Sequence, residues 1–369
     1  MMVKILILGN DDGGVYKFRK ELIEELSRKN RVYISVPFDR FISLLMELDC
    51  ELIDTPIGRR KINPIIDLSL LLRYMRMIRR IKPDLVFTYT VKPNVYGGIV
   101  CRIMKVPYMA NITGLGTSVE NVGYIKKIVL KLYEVGLKQA SCVFFQNESN
   151  QDYFTKKSLI NSKTRLIPGS GVNLNYYALE EYPDDAEGIK FLFIGRIMRD
   201  KGINELLEAA IEIKKRYKDI HFNLVGLIED DMSKKINDFK EHGIINYYDE
   251  KLDIRSFIRQ SHAIILPSYH EGTSNVLLEA ASSGRPVLAS RVTGCRETLD
   301  EGVSGLCFEA RNIDSLVQTI IKFIELPHER KEMMGLAGRK KMEKEYDRTI
   351  VVNAYIEEIE KVLKGKELS

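Results

Sequence analysis

The 369-residue sequence predicts an α/β protein of two doubly wound, Rossmann-like domains, a length with ample core for each. Three observations carry that reading. Short apolar runs of strand length alternate with helical patterns through the first half of the chain. The alternation restarts at Lys190 and runs through the second half. Between the two lie residues 168–188, whose Pro168, Gly169, Gly171, Pro183 and Gly188 have the composition of a linker. The expected domains are residues 1–170 and 188–345, followed by a last helical pattern at about 349–365.

Taken in order, Val3 to Leu8 reads as a strand, a loop holds Gly13-Gly14, and a helix follows from Val15 to Arg28. Strand Arg31 to Val36, a helix near Arg40 to Leu48 and strand Glu51 to Asp54 come next. A long helix, Pro64 to Ile81, leads to strand Leu85 to Tyr89. Helices near Tyr96 to Met104 and Tyr124 to Gln139 flank a strand at Tyr108 to Ile112. Strand Cys142 to Gln146, a helix from Ser149 and a strand near Arg165 to Ile167 close the half. In the second half, strands are expected near Lys190 to Ile194, His221 to Val225, Ile244 to Tyr247, Ala263 to Leu266, Val287 to Ala289 and Gly305 to Cys307. Thr349 to Leu363 is the final helical pattern.

The net charge of +5 hides an asymmetry. Residues 1–180 hold 27 Lys and Arg against 17 Asp and Glu, a balance of +10; residues 181–369 hold 29 against 34, a balance of −5. A basic first half suits an anionic surface or acceptor. No recognised nucleic-acid motif surrounds those cations, so nucleic acid is not an expected partner. Cys50, Cys101, Cys142, Cys295 and Cys307 are odd in number and scattered, which suits reduced core thiols rather than disulfides or zinc. No run of 18 apolar residues suggests a membrane span, and Val3 enters a strand with no signal peptide before it.

The chemistry concentrates at two strand ends. Lys190 to Ile194 is closed by Gly195-Arg196; Lys201-Gly202 then precedes a helical pattern through Leu206, Leu207, Ala210 and Ile213. An Arg fork and a Lys point charge at such a junction can converge on a diphosphate. After the apolar run Ala263 to Leu266, Pro267 and Ser268, Glu271 lies in a loop because Gly272 and Thr273 break any helix reaching back to it. Thr273 or Ser274 can N-cap the segment whose apolar face is Val276, Leu277, Ala280 and Ala281, and which carries Glu279. A helix start between two carboxylates offers N–H groups to a phosphate.

These residues resemble the nucleotide-sugar site of retaining GT-B glycosyltransferases, the family 4 or "glycosyl transferases group 1" enzymes. The family pattern G-R-x4-K-G, then E-x7-E about 70 residues on, reads here Gly195-Arg196…Lys201-Gly202 and Glu271…Glu279. The resemblance implies two doubly wound domains facing a cleft, with the C-terminal helix crossing back to the first. It implies that Arg196 and Lys201 offset charge on the leaving diphosphate and that Glu279 accepts from ribose hydroxyls. Glu271 would meet the donor sugar, and Gly272, Thr273, Ser274, Asn275 and Val276 would hold its hydroxyls and phosphate. Simple capping is the plainer reading of Thr273 and Asn275. Gly13-Gly14 would let the backbone approach the donor phosphate. No metal is expected: Asp11 and Asp12 are adjacent and share no face, and the family needs none.

Many relatives carry a histidine near the donor sugar, on a first-domain loop. Here the histidines are His221, His242, His262, His270 and His328, so the corresponding loop, Asn111-Ile112-Thr113-Gly114-Leu115-Gly116-Thr117, cannot act as a base. That favours a front-face mechanism in which the leaving phosphate takes the acceptor proton. This loop and the run Tyr89-Thr90-Val91-Lys92-Pro93-Asn94-Val95-Tyr96 resemble a bacterial subgroup that builds capsule, O-antigen or glycan precursors on undecaprenyl diphosphate. The resemblance implies a UDP-sugar donor and a lipid-linked acceptor met by Lys92, Asn94, Thr113 and Gly114. Arg59, Arg60, Lys61, Arg73, Arg76, Arg79, Arg80 and Lys82 interleave with apolar residues, opposed only by Asp67, a pattern suited to an anionic membrane surface. Peripheral attachment to the inner face of the cell membrane is therefore expected. Two other functions share such a fold: a UDP-sugar 2-epimerase, and a non-catalytic nucleotide- or lipid-binding relative.

Overall fold

The computed structural model describes residues 2–58, 64–114, 124–229 and 232–367. The chain divides into two compact units, Met1–Ser170 with Thr349–Ser369, and Gly171–Arg348. In unit 1, β1 (Val3–Leu8), β2 (Asn30–Val36), β3 (Glu51–Asp54), β4 (Leu85–Tyr89), β5 (Tyr108–Ile112), β6 (Cys142–Phe145) and β7 (Thr164–Leu166) form one parallel sheet in the order β3-β2-β1-β4-β5-β6-β7. Its helices are α1 (Asp12–Ser27), α2 (Ile42–Met46), α3 (Pro64–Ile81), α4 (Gly98–Ile103), α5 (Tyr124–Leu137) and α6 (Glu148–Lys156). Such a sheet is covered on both faces, so its central strands are largely apolar, and β4 and β5 are buried along their whole length. Successive residues of β1 divide between two cores: Ile5 and Ile7 join one, Leu6 and Leu8 the other.

Unit 2 repeats the plan with β8 (Ile189–Ile194), β9 (Ile220–Val225), β10 (Asn246–Tyr248), β11 (Ala263–Leu266), β12 (Val287–Ser290) and β13 (Gly305–Phe308), ordered β10-β9-β8-β11-β12-β13. Helices α7 (Ile203–Arg216), α8 (Ser233–Glu241), α9 (Arg255–Arg259), α10 (Asn275–Ser282), α11 (Ile313–Ile324) and α12 (His328–Lys341) accompany them. In both sheets strand order reverses beside the first strand, between β1 and β4 and between β8 and β11. Doubly wound folds bind ligands at the carboxyl ends of such strand pairs.

Several boundaries differ from expectation, three of them for local reasons. The first helix starts at Asp12, so Gly13 and Gly14 belong to its first turn and not to a loop; Asp11 caps it by accepting from the Gly14 N–H at 2.7 Å. The helix expected from Tyr96 opens earlier, as a π-helical turn at Pro93–Gly97, with proline in the first turn where no N–H is needed. Strand β10 is Asn246–Tyr248, starting two residues later than read, because Ile244 and Ile245 still return hydrogen bonds to Phe239.

The last helix, α13 (Arg348–Glu367), packs into unit 1 through Val351, Ala354, Tyr355 and Ile359, one face of a helical repeat. Tyr355 donates to Asn111 Oδ1 at 2.6 Å, and Asn111 donates to the Thr88 carbonyl at 3.1 Å. Glu358, also on this face, takes hydrogen bonds from Lys163, Arg165 and Lys361. Burial pushes the Glu358 carboxyl up, but these cations outweigh it and hold it at about 2 against an ordinary 4.5. The folded chain therefore binds this proton less tightly than the unfolded chain. The resulting stabilisation is complete above pH 4.5 and is lost as pH falls toward 2. Thermal melts across pH 3 to 7 should show Glu358→Gln lowering the melting temperature at neutral pH and flattening part of the acid limb. One kcal/mol shifts a protein of this class by roughly 2–4 °C, so the loss is measurable. An unchanged acid limb would show that the cluster contributes nothing to acid stability.

Candidate active site

Strands β8 and β11 are hydrogen-bonded neighbours, paired at Ala263↔Phe191 and Ile264↔Leu192, and the two candidate motifs leave their carboxyl ends. The first loop runs from Gly195 through a 3₁₀ turn, Arg199–Lys201, to Gly202 and the start of α7. Gly202 has φ 68°, and a Cβ there would lie 2.1 Å from the Pro267 carbonyl oxygen. Only glycine permits both that backbone and that approach. The Tyr269 N–H closes the second loop onto the first by donating to the Asp200 carbonyl at 2.9 Å.

The result is an ion pair. Lys201 Nζ donates to Glu271 Oε1, both side chains being mostly buried. Arg196, more exposed, donates to Glu229 Oε2 at 3.1 Å. So each of the two cations expected at a diphosphate is held near a carboxylate, and an incoming anion would exchange with Glu271 or Glu229 for it.

The loop Glu271–Ser274 rests on Gly294, which follows β12. A Cβ on Gly294 would lie 2.6 Å from the carbonyl oxygens of both Glu271 and Gly272, and the Ser274 N–H donates to the Gly294 carbonyl at 2.8 Å. Of the two capping candidates, Ser274 occupies the N-cap position of α10, and its side chain makes no capping bond. Asn275 Oδ1 is buried with no hydrogen-bond partner among the described residues, an acceptor suited to a ligand hydroxyl. Val276 is partly buried and packs against the unit 2 core. Glu279, on α10, is 8 % exposed. Burial, then the charge of Glu279, pushes the Tyr177 phenol well up, so Tyr177 stays a neutral donor beside that carboxylate.

In unit 1 the structure corrects three expectations. Gly13 and Gly14 are not an open phosphate cradle: their N–H groups donate to Asp12 Oδ1 and Asp11 Oδ2, each at 2.7 Å. The space beside their Cα atoms is filled by the Phe41 ring and the Asp11 carboxylate. Asp12 also accepts from the Asp39 and Phe41 N–H groups, so both carboxylates serve as caps. Asn94 does not face an acceptor. It is fully buried, accepts from Thr88 Oγ1 at 2.6 Å and donates to the Asn111 carbonyl at 2.8 Å. Lys92, expected to meet the acceptor, donates instead to buried Asp67 Oδ1 at 2.7 Å. Asp67 thus turns inward and does not oppose the basic surface of α3. Thr113 and Gly114 follow β5 and are partly buried, Gly114 with φ 144°. Leu115, Gly116 and Thr117, like Arg59, Arg60 and Lys61, lie outside the described residues.

Sequence reading missed Tyr177, Glu229 and Gly294. A glycine after a strand reads as a turn, and nothing local marks Gly294 as a support for a loop over 20 residues away. Among the described residues, no group of three or more His, Cys, Asp or Glu could hold a metal ion, and no helix is long and apolar enough to cross a membrane.

Comparison with known proteins gives this geometry a class. The profile described as Glycosyl transferases group 1 matches residues 179–341, and one described as Glycosyl transferase 4-like matches residues 4–147. Together they span most of the chain, which belongs to the glycosyl transferases group 1 family. Among its relatives is the N,N'-diacetylbacillosaminyl-diphospho-undecaprenol alpha-1,3-N-acetylgalactosaminyltransferase of Campylobacter jejuni, 26% identical, covering 98% of this chain and 100% of that one. The UDP-Gal:alpha-D-GlcNAc-diphosphoundecaprenol alpha-1,3-galactosyltransferase of Escherichia coli is 25% identical, covering 71% and 72%. The fold is GT-B. HepE of Anabaena, solved with UDP and glucose, superposes with a TM-score of 0.79 at 18% identity, over 97% of this chain and 99% of that one. Sucrose-phosphate synthase of Thermosynechococcus elongatus does so with a TM-score of 0.80 at 17% identity, over 98% and 100%. Both profiles describe transferases, and nothing in the comparisons favours an epimerase.

Lys201→Ala and Arg196→Ala should each lower turnover more than they weaken UDP binding, because charge on a leaving diphosphate grows in the transition state. Loss of one such donor costs roughly 3 kcal/mol, on the order of a hundredfold. Steady-state kinetics beside calorimetry with UDP separates the two effects. Near-normal turnover in either variant removes that residue from the diphosphate site.

Proposed function

We propose that the chain is a retaining hexosyltransferase that moves a hexose or N-acetylhexosamine from a UDP-sugar to a saccharide on a polyprenyl diphosphate, in bacterial surface polysaccharide or glycan biosynthesis. The observation that carries this reading is the Lys201–Glu271 pair at the β8/β11 switch point, with Arg196 on the same strand end. A lysine, an arginine and a helix start suit a diphosphate; two carboxylates, Glu271 and Glu279, suit sugar hydroxyls. The names of the Campylobacter and Escherichia relatives support the acceptor class, and UDP in the HepE structure supports the nucleotide.

The bond from the anomeric carbon to the diphosphate oxygen breaks as the acceptor hydroxyl approaches the same face. The new glycosidic bond forms, and the hydroxyl proton passes to the departing phosphate oxygen. Arg196 and Lys201 stabilise the growing negative charge in place, which is usually the largest catalytic contribution. Glu271 orients the donor sugar while Lys201 turns to the phosphate, and Glu279 accepts from the ribose. Alpha linkages in the relatives' names support retention, since common UDP-hexoses carry their sugar in α linkage. Because fixed cations stand where a divalent ion would otherwise neutralise the diphosphate, the reaction needs no metal. Thr113 and Gly114 contribute to the acceptor side.

Transfer from UDP-N-acetylgalactosamine or UDP-galactose to synthetic polyprenyl-diphosphate saccharides tests the function. The expected product is an α-linked extended saccharide, formed equally in EDTA. Turnover of the donor only to an epimer sinks the reading; activity lost in chelator and restored by Mg²⁺ or Mn²⁺ sinks its metal independence.

The acceptor's lipid puts the enzyme at the cytosolic face of the cell membrane, and α3 is its contact. Asp67, Leu70, Tyr74, Ile78 and Ile81 form the buried face of that helix. Its outer face carries Ile65, Leu68 and Leu72, exposed by 81%, 58% and 42%, followed by exposed Arg73, Arg76, Arg79 and Arg80. Apolar residues at one end and cations at the other suit an interface lined with anionic headgroups. Each cation contributes about 1 kcal/mol there, screened by salt. Sedimentation with anionic vesicles should show binding at low salt that weakens at high salt. Changing the four arginines to Gln should abolish it with UDP binding intact. Equal binding to neutral vesicles would show that this surface is only solvated.

A further inference from the structure

We propose that Tyr269 is a positioning residue that ties the loop of Glu271 to the turn of Lys201, through Glu205. The proposal rests on the reading of Lys201 and Glu271 as donor-site residues. Tyr269 stands two positions ahead of Glu271, and Glu205 lies four positions after Lys201, on the first turn of α7. The Tyr269 hydroxyl donates to Glu205 Oε1 at 2.6 Å, and its backbone N–H donates to the Asp200 carbonyl at 2.9 Å. One residue thus grips the neighbouring loop on both sides of Lys201.

The surroundings hold that grip in one state. Glu205 Oε2 is buried and has no hydrogen-bond partner among the described residues, so Tyr269 supplies the bond this carboxylate has. A partly satisfied buried carboxylate makes the remaining bond costly to lose. Burial, then Glu205, pushes the phenol well above its ordinary value, so it remains a donor at any working pH. Arg311 lies 4.4 Å from the Tyr269 ring centroid, and reaches it with φ 59°, a left-handed backbone uncommon for arginine. The ring is therefore stacked as well as hydrogen-bonded.

This tether controls the one relation the chemistry needs from both loops. Ion-pair exchange at Lys201 requires Glu271 and Lys201 to keep their register when the diphosphate arrives. A displacement of about 1 Å at reacting groups can cost on the order of a hundredfold in rate, whereas ground-state binding of UDP spreads over many contacts. Loss of the phenol hydroxyl should consequently appear in turnover and not in UDP affinity.

The test uses the full chain with UDP-N-acetylgalactosamine and UDP-galactose as donors, UDP calorimetry, and thermal melts. Tyr269→Phe and Glu205→Ala are each expected to lower kcat by about tenfold, with the UDP dissociation constant within about twofold. Glu205→Gln keeps an acceptor oxygen and should restore most of the rate. The double variant Tyr269→Phe/Glu205→Ala should be no slower than either single, as for two ends of one bond. Lys201→Ala serves as reference. If Lys201→Ala loses turnover while Tyr269→Phe keeps it, the tether is overturned. Additive losses, or a rate loss accompanied by equal loss of UDP binding and melting temperature, overturn it too and leave Tyr269 a packing residue. If Lys201→Ala itself keeps turnover, the reading of the site falls instead.

Discussion

The approach of two loops at the carboxyl ends of β8 and β11 is the constraint on which the candidate site depends. Gly202 lies against the Pro267 carbonyl, where any side chain would collide. From that contact follow the Asp200–Tyr269 backbone bond, the Tyr269–Glu205 bond and the Lys201–Glu271 ion pair. Gly294 supports the second loop from the other side. Two glycines far apart in sequence therefore set the spacing of a cation and a carboxylate. An ion pair of this kind is a poor stabiliser of the fold, because desolvation offsets much of its attraction. Under the proposed function, a diphosphate would replace Glu271 as the partner of Lys201 in an environment already organised for charge.

Unit 1 uses its polar residues differently. Asp11 and Asp12 consume the N–H groups at the start of α1, and Asn94, Thr88, Asn111 and Tyr355 form a buried chain from the β4 turn to α13. Lys92 is neutralised by Asp67. These bonds fix the strand ends and, among the described residues, commit the Lys92 charge near β4 to Asp67. Exposed basic groups include four on α3, Arg73, Arg76, Arg79 and Arg80. The proposed membrane-borne acceptor would be met by such a surface and not by a single ion pair.

Most of the strands were legible because a parallel sheet buried on both faces leaves continuous apolar runs between turn residues. β1, β3, β4, β5 and β11 fall where their runs predict. Boundaries slipped where a side chain or an irregular turn decides the end, as with Asp11 at α1 and the π-helical turn at Pro93–Gly97. In the candidate site, the spacing of Arg196, Lys201, Glu271 and Glu279 singled them out through its resemblance to a family pattern. Partner choice was not: Glu205 and Tyr269 are separated by 64 residues, and Gly13-Gly14 reads identically whether its amides face a ligand or an aspartate.

The sequence by itself determined the alternation of strands and helices, the charge asymmetry and the motif spacing, because these are local or periodic properties of the chain; the stretch read as a linker belongs from Gly171 onward to the second compact unit. Tertiary structure decided which groups pair: Lys92 with Asp67, Asn94 with Thr88 and Asn111, Lys201 with Glu271. The physical reason is that an ion pair or hydrogen bond depends on distance and desolvation, and strand order alone brings the ends of β8 and β11 together across some 70 residues of sequence.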